Sequence, residues 1–374
     1  MVAESEFDAT AASMPLRVLI AGGGTGGHVI PALAIGKALR ERYGAEVRFI
    51  GTSRGLETKL VPENGFRLAL VRSGQWNNVS FATKLRTSMD LPLGVLHCID
   101  LLRHFRPQVV VGVGGYASGP AMIAALLLRL PTLVYEPNAV PGLTNRKLGK
   151  WVTGAAVNFE QTTKYFRRAE VTGVPVRPEI SATPPLTGHE RPRLLVTAGS
   201  NGARIFNESL PEILPRLLQA VPGLTIVHQT GPRLFDATLA SYAAAGVARA
   251  SVDVRAFLDD MPHQLAQATL VMARAGSTVA ELAASGRPGL LVPFAQAADD
   301  HQRKNAEVLE RAGAAVLLLE RDASPERLLH ELTALLTDPQ RLAAMGEAAR
   351  RLSRPQALDR IVEKIAALAD KQRS

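Results

Sequence analysis

The 374-residue chain carries 43 Lys and Arg against 34 Asp and Glu, a formal net charge of +9, and is 47% hydrophobic and 21% charged. That length favours two domains and that apolar share excludes a disordered tether, while the basic excess favours anionic partners. A single cysteine, Cys98, excludes an intrachain disulfide framework and any cysteine-built metal site, and fits a reducing compartment. The longest apolar run, residues 121–128, falls far short of the roughly 20 residues that a membrane-spanning helix needs. Residues 1–14 carry Glu4, Glu6 and Asp8 rather than the basic start of a signal peptide, and read as a disordered tail. Aromatic residues make up only 5% and no basic run occurs, which disfavours nucleic-acid binding.

In chain order the predicted elements alternate between strand and helix. Residues 16–20 (LRVLI) form a short apolar strand, followed by a glycine turn and a helical pattern, and residues 46–52 form the next strand. Residues 109–113 lead into GGYASGP and a helix, and 133–135 lead into EPNAVPGLTNRKL. After residue 192 the same order returns: a strand at 194–197, the turn AGSNGA, a helix, and a strand within 224–231. Strands at 269–272 and 289–292 each feed a polar turn and another helix. This alternation marks two similar α/β domains with parallel sheets. Five prolines between residues 174 and 192 mark the linker, and the chain from Asp338 reads as amphipathic helix to its end. Ligands of open α/β sheets sit beyond the carboxyl ends of the strands, where every one of these turns lies.

Gly22, Gly24 and Gly27 satisfy G-x-G-x-x-G, but the second strand ends in Gly51 and Thr52 without the acid that a ribose-binding dinucleotide site requires. His28 follows directly at the start of a helix, where the positive helix end keeps an imidazole neutral and able to accept a proton. Ser200, in a second glycine turn, is either a helix cap or a phosphate ligand. Glu281 lies on the second turn of a helix opened by Arg274, as a solvated residue or as a ribose ligand. Asp299, Asp300, His301 and Gln302 offer polar groups to sugar hydroxyls. No D-x-D occurs, so a metal site is disfavoured. Residues 71–86 combine Trp76, Val79, Phe81 and Leu85 with Arg72, Lys84 and Arg86, a pattern that suits either an anionic lipid surface or an ordinary buried helix.

Six segments together carry a resemblance: GGGTGGHVIPALA at 22–34, GVGGYASGP at 112–120, EPNAVPGLTN at 136–145, GSNGARIFN at 199–207, RAGSTVAEL at 274–282 and PFAQAADDHQRKNA at 293–306. The chain resembles the MurG family of bacterial UDP-N-acetylglucosamine:lipid I N-acetylglucosaminyltransferases. The resemblance implies an α/β GT-B fold, two Rossmann-like domains facing a cleft, with a C-terminal helix crossing back. It implies an acceptor and membrane domain at 15–175, a UDP-GlcNAc domain at 176–350 and the returning helix at 351–374. It also implies metal-independent, inverting transfer of GlcNAc to the MurNAc C4 hydroxyl of lipid I, with no cofactor.

By the same resemblance, His28 is the general base and Glu281 a second catalytic residue. Thr25, Gly26, Gly27, Asn138, Arg177, Ser200, Leu258, Thr278, Val279, Ala280, Glu281 and Gln302 bind UDP-GlcNAc, and Tyr116, Trp76 and Phe81 face acceptor and membrane. The stretch from Gly276 to Glu281 is one residue shorter than the family pattern, and His301 stands where some members have a second glutamine. The implied partners are UDP-GlcNAc, lipid I, an anionic membrane surface and the cell-wall and division machinery, and the implied place is the cytoplasmic face of the membrane. A UDP-GlcNAc 2-epimerase-like enzyme, another GT-B glycosyltransferase and a non-catalytic nucleotide-sugar or NAD module remain as alternatives.

Overall fold

The computed structural model describes residues 15–73, 81–248 and 250–373. The expected tail at 1–14 therefore lies outside the described residues. Seven strands of the first half, β1 (Arg17–Gly22), β2 (Glu46–Gly51), β3 (Arg67–Leu70), β4 (Val109–Gly114), β5 (Thr132–Glu136), β6 (Gly154–Val157) and β7 (Ala169–Val171), form one parallel sheet in the order β3-β2-β1-β4-β5-β6-β7. Helices α1 (Gly26–Tyr43), α2 (Glu57–Glu63), α3 (Phe81–Phe105), α4 (Ser118–Leu127) and α5 (Leu143–Leu148) connect them. Strand β4 is buried at every position, as expected of a strand covered by helices on both faces.

The second half repeats the arrangement. After α6 (Pro178–Ser181), strands β8 (Arg193–Thr197), β9 (Thr225–Gln229), β10 (Val252–Arg255), β11 (Leu270–Ala273), β12 (Gly289–Leu291) and β13 (Ala315–Leu317) run parallel in the order β10-β9-β8-β11-β12-β13. Helices α7 (Arg204–Ala220), α8 (Phe235–Ala244), α9 (Met261–Gln267), α10 (Thr278–Ser285), α11 (His301–Arg311), α12 (Pro325–Leu336) and α13 (Pro339–Arg351) cover it. In both sheets the chain reverses beside its first strand, at β1/β4 and β8/β11, which is where doubly wound folds place ligands.

The proline-rich linker is fastened to the second domain. Arg287 is 2% exposed and donates to the carbonyls of Leu265 at 2.8 Å, Ala266 at 2.8 Å and Pro184 at 3.0 Å. Arg350 donates to Thr183 and Ser285 carbonyls at 2.8 and 3.1 Å. The chain crosses between domains twice, and the two crossings pack together at Gly173 and Arg354. Gly173 has φ +89°, and a Cβ there would collide with the Arg354 side chain.

The tail departs from the sequence expectation. It is two helices, α13 and α14 (Ala357–Arg373), rather than one. Pro355 explains the break, because it has no N–H and forces the preceding residue out of helical geometry. The break turns α14 back onto the first domain. There Ile361, Val362, Ile365 and Ala369 enter the core formed by β1, α1 and β4, and Asp359 pairs with Arg42 at 2.6 Å. No helix among the described residues is long and apolar enough to cross a membrane.

Candidate active site

The glycine turn after β1 is closed from inside the protein. Glu57, 1% exposed at the start of α2, accepts from the Gly24 amide at 2.7 Å, the Thr52 amide at 2.9 Å and the Thr52 hydroxyl at 3.0 Å. A Cβ on Gly23, Gly51 or Gly55 would collide with its side chain, so these glycines make room for the protein's own acid. An anion held by these donors takes the place that a dinucleotide phosphate would need, which removes that reading of G-x-G-x-x-G.

Thr25, Gly26 and Gly27 follow as the N-cap and first turn of α1, and Thr25 is exposed. His28 sits in that turn with its ring against the Cα of Gly114, whose φ is +92° and where a Cβ would lie 2.8 Å from His28 Cε1. His28 Nδ1 is buried without a hydrogen-bond partner, while the residue as a whole is half-buried, so Nε2 is the nitrogen with a route to the cleft. Its pKa is held below the usual histidine value, in the direction expected from a helix N-terminus. The leading cause is instead burial, followed by the charge of His301 from the second domain, with Val113 and Glu57 opposing.

Asn138 lies on the turn after β5. Glu136, 2% exposed at the end of that strand, accepts from the Asn138 amide at 3.1 Å and Asn138 Nδ2 at 3.0 Å through one oxygen. Its other oxygen accepts from the Gly142 amide at 3.1 Å and Asn145 Nδ2 at 2.9 Å. Burial pushes the Glu136 carboxyl up, and these four donors pull it back. Asn138 Oδ1 accepts from Asn305 Nδ2 of the second domain at 3.1 Å.

On the facing side, Ser200 is exposed in the turn after β8 and does not cap α7, whose N-cap is Ala203. Arg177, just after the first crossing, reaches Glu281 Oε1 at 3.8 Å. Glu281 retains 27% of its side-chain exposure, and burial raises its carboxyl pKa while Arg177 lowers it. Thr278 opens α10 half-buried, whereas Val279 and Ala280 are 3% and 9% exposed, with their amides donating to the Gly276 and Ser277 carbonyls at 3.4 and 3.1 Å. Leu258 is likewise buried, at 4% exposure.

Gln302 accepts from the Phe294 amide at 3.0 Å, and its Nε2 faces Gly276, 3.9 Å from where a Cβ would sit. Arg274, bonded to Glu320 and to the carbonyls of Val292 and Pro293 at 3.0 and 3.1 Å, ties this turn to the Gly276 turn.

Trp76 lies outside the described residues, and of Phe81 only its place at the start of α3 is described. Tyr116 is 46% exposed, and its carbonyl accepts from the Ser73 hydroxyl at 2.6 Å. The sequence reading passed over Glu57, Glu136 and Asn305. Glu57 and Asn305 bond residues up to 33 and 167 positions away, and Glu136 bonds within nine, but no periodicity along the chain marks any of the three.

Lowering of the His28 pKa has a defined consequence for stability. Above the ordinary histidine pKa, about 6.5, His28 is neutral both folded and unfolded. Below it the unfolded chain takes up a proton that the folded chain refuses, so this contribution to stability falls as pH drops. Denaturant titrations of wild type and His28→Asn between pH 7 and pH 5 are expected to show wild type losing more stability on acidification. A difference that stays constant, or grows in favour of wild type, contradicts the buried neutral imidazole.

Comparison with known proteins gives the lineage. Residues 18–157 match the glycosyltransferase family 28 N-terminal domain and residues 193–361 its C-terminal domain. A relative from Syntrophotalea carbinolica, a UDP-N-acetylglucosamine–N-acetylmuramyl-(pentapeptide) pyrophosphoryl-undecaprenol N-acetylglucosamine transferase, is 43% identical over 93% of this chain and 97% of its own length. A transferase of the same name from an Anaeromyxobacter species is 43% identical over 94% and 93%. The crystal structure of Acinetobacter baumannii MurG superposes with a TM-score of 0.80 at 32% identity, covering 94% of this chain and all of that one. A Neisseria meningitidis UDP-GlcNAc 2-epimerase superposes at 0.65 with 14% identity over 94% of this chain and 100% of that one, a likeness of fold alone. With both of its domain models matched in order and relatives above 40% identity along nearly the whole chain, the protein belongs to glycosyltransferase family 28.

Proposed function

We propose that the protein transfers N-acetylglucosamine from UDP-GlcNAc to the MurNAc C4 hydroxyl of lipid I, giving lipid II and UDP for peptidoglycan synthesis. The observation that carries this reading is the cleft between unlike walls. A half-buried histidine of lowered pKa and an oriented asparagine stand on the first domain, opposite an exposed glycine turn, Thr278, Glu281, Arg177 and Gln302 on the second. The acceptor oxygen attacks the anomeric carbon as the bond to the diphosphate oxygen breaks. His28 takes the hydroxyl proton, and UDP leaves with the bonding pair and inverts the centre. Positioned base catalysis contributes about 10²–10⁴-fold, and fixed amides around the departing diphosphate stabilise the charge that develops there.

In this reading UDP lies on the second domain. The backbone at Leu258 meets the base, Arg177 and Glu281 the nucleoside, and Ser200 and the first turn of α10, at Thr278, Val279 and Ala280, the diphosphate. Asn138 and Gln302 meet the sugar, with Thr25, Gly26 and Gly27 beside it. The domains divide at 15–175 and 176–350, with 351–374 returning to the first. The epimerase alternative shares only the fold and needs no lipid acceptor.

Lipid I brings the enzyme to the cytoplasmic face of the membrane as a peripheral protein, within reach of cell-wall and division proteins. The surface that supports this lies on α3. Leu93 and Leu96, three apart on α3, are 54% and 62% exposed, and Gly94 between them lies against the carbonyl of exposed Arg72. Apolar side chains rimmed by basic ones suit an anionic interface.

The function is tested by transfer of labelled GlcNAc from UDP-GlcNAc to a lipid I analogue in detergent with EDTA present. Lipid-linked product is expected, and His28→Ala is expected to lower kcat about 10²–10⁴-fold with UDP affinity unchanged. Sugar conversion without lipid product points to an epimerase-like enzyme, and turnover of His28→Ala within about tenfold of wild type removes the base assignment. Replacing Leu93 and Leu96 together by Ser is expected to weaken binding to anionic liposomes. Undiminished binding removes that surface.

A further inference from the structure

Asn305 is 1% exposed on α11 and makes three hydrogen bonds that no local element of its own requires. Its Oδ1 accepts from the Ala139 amide of the first domain at 2.8 Å. Its Nδ2 donates to the Ala275 carbonyl of its own domain at 3.0 Å and to Asn138 Oδ1 of the first domain at 3.1 Å. One buried amide thus joins the turn after β5 to the turn after β11. Two other polar contacts between the domains, Arg146 to Asp299 at 3.5 Å and Arg311 to Gln161 at 3.4 Å, are longer and exposed.

We propose that Asn305 is a positioning residue that couples closure of the two domains to the orientation of Asn138. The proposal rests on the reading that Asn138 meets the donor sugar. Glu136 takes one N–H of the Asn138 amide, and Asn305 satisfies its oxygen, so the remaining N–H points in one fixed direction. The two chain crossings meet at Gly173 and Arg354, and a rotation about them that opens the cleft withdraws Asn305 from both Ala139 and Asn138. Asn138 then keeps its hold on Glu136 but loses the contact that fixes its amide plane. A misplaced sugar-binding group costs about 10²-fold in rate when reacting atoms shift by an ångström. UDP, bound to the second domain alone, makes no use of this contact.

The test is a double-mutant cycle on Asn305 and Asn138, read by kcat, by KM for UDP-GlcNAc and by UDP affinity from calorimetry. Asn305→Asp keeps size and the acceptor for Ala139 but turns an oxygen toward the Ala275 and Asn138 oxygens, and Asn305→Ala removes all three bonds without adding charge. Both are expected to lower kcat about 10²-fold and raise KM while leaving UDP affinity within about twofold. Asn305→Ala is expected to add nothing once Asn138→Ala is present. Melting curves confirm that each variant is folded, and should the aspartate variant not fold, the alanine variant carries the cycle.

Full kcat in the Asn305 variants, losses that add to those of Asn138→Ala, or a parallel loss of UDP affinity overturns the coupling while leaving the site reading intact. An Asn138→Ala enzyme with wild-type kcat and KM overturns the site reading and the coupling with it.

Discussion

A carboxylate buried at the domain junction sets the geometry on which the cleft depends. Glu136 ends a central strand with four N–H groups converging on it, from Asn138, Gly142 and Asn145. Taking a carboxylate out of water costs several kcal/mol unless its oxygens are bonded, so the 137–145 turn must wrap it to be stable at all. That wrapping holds Asn138 at the carboxyl end of β5 and presents its oxygen to Asn305. A single acid therefore shapes a loop of the first domain and, through it, the way that domain meets the second.

The two domains share one topology but handle negative charge in opposite ways. In the first, the glycine turn closes on Glu57, and no further anion fits among the donors that hold that carboxylate. In the second, the corresponding turn rests on a neutral amide, with Gln229 Nε2 donating to the Gly199 carbonyl at 2.8 Å, and Ser200 stays exposed. Symmetry of fold thus becomes asymmetry of function. One turn is an internal strut that carries His28, and the other stays exposed at Ser200, where the proposed function puts the diphosphate. Burial and the charge of His301 hold the His28 pKa below its usual value, against the opposing pull of Val113 and Glu57.

Much of this was legible in the sequence, for physical reasons that also explain the gaps. Central strands β1, β4, β8 and β11 are buried on both faces and read as apolar runs ending in glycine or polar turns. The edge strands β7 and β13 have only three residues each and left no comparable pattern. The terminal helix was read as continuous because amphipathic periodicity survives across Pro355, although the chain does not. At the site, His28, Glu281 and Gln302 stand out as polar residues inside recognisable turns, whereas Asn138 emerges only from the family resemblance. Glu57 and Asn305 were not, because each is defined by partners from other elements, and spacing along the chain carries no trace of them.

In the proposed function the donor occupies the second domain and meets the first only through its sugar. A crystal structure of the protein with UDP-GlcNAc tests this most directly. UDP is expected against Ser200, Thr278, Glu281 and Arg177, with the sugar between Asn138 and Gln302, and Glu57 still bonded to Gly24. A nucleotide or its phosphates seated in the first glycine turn, with Glu57 displaced, would contradict it.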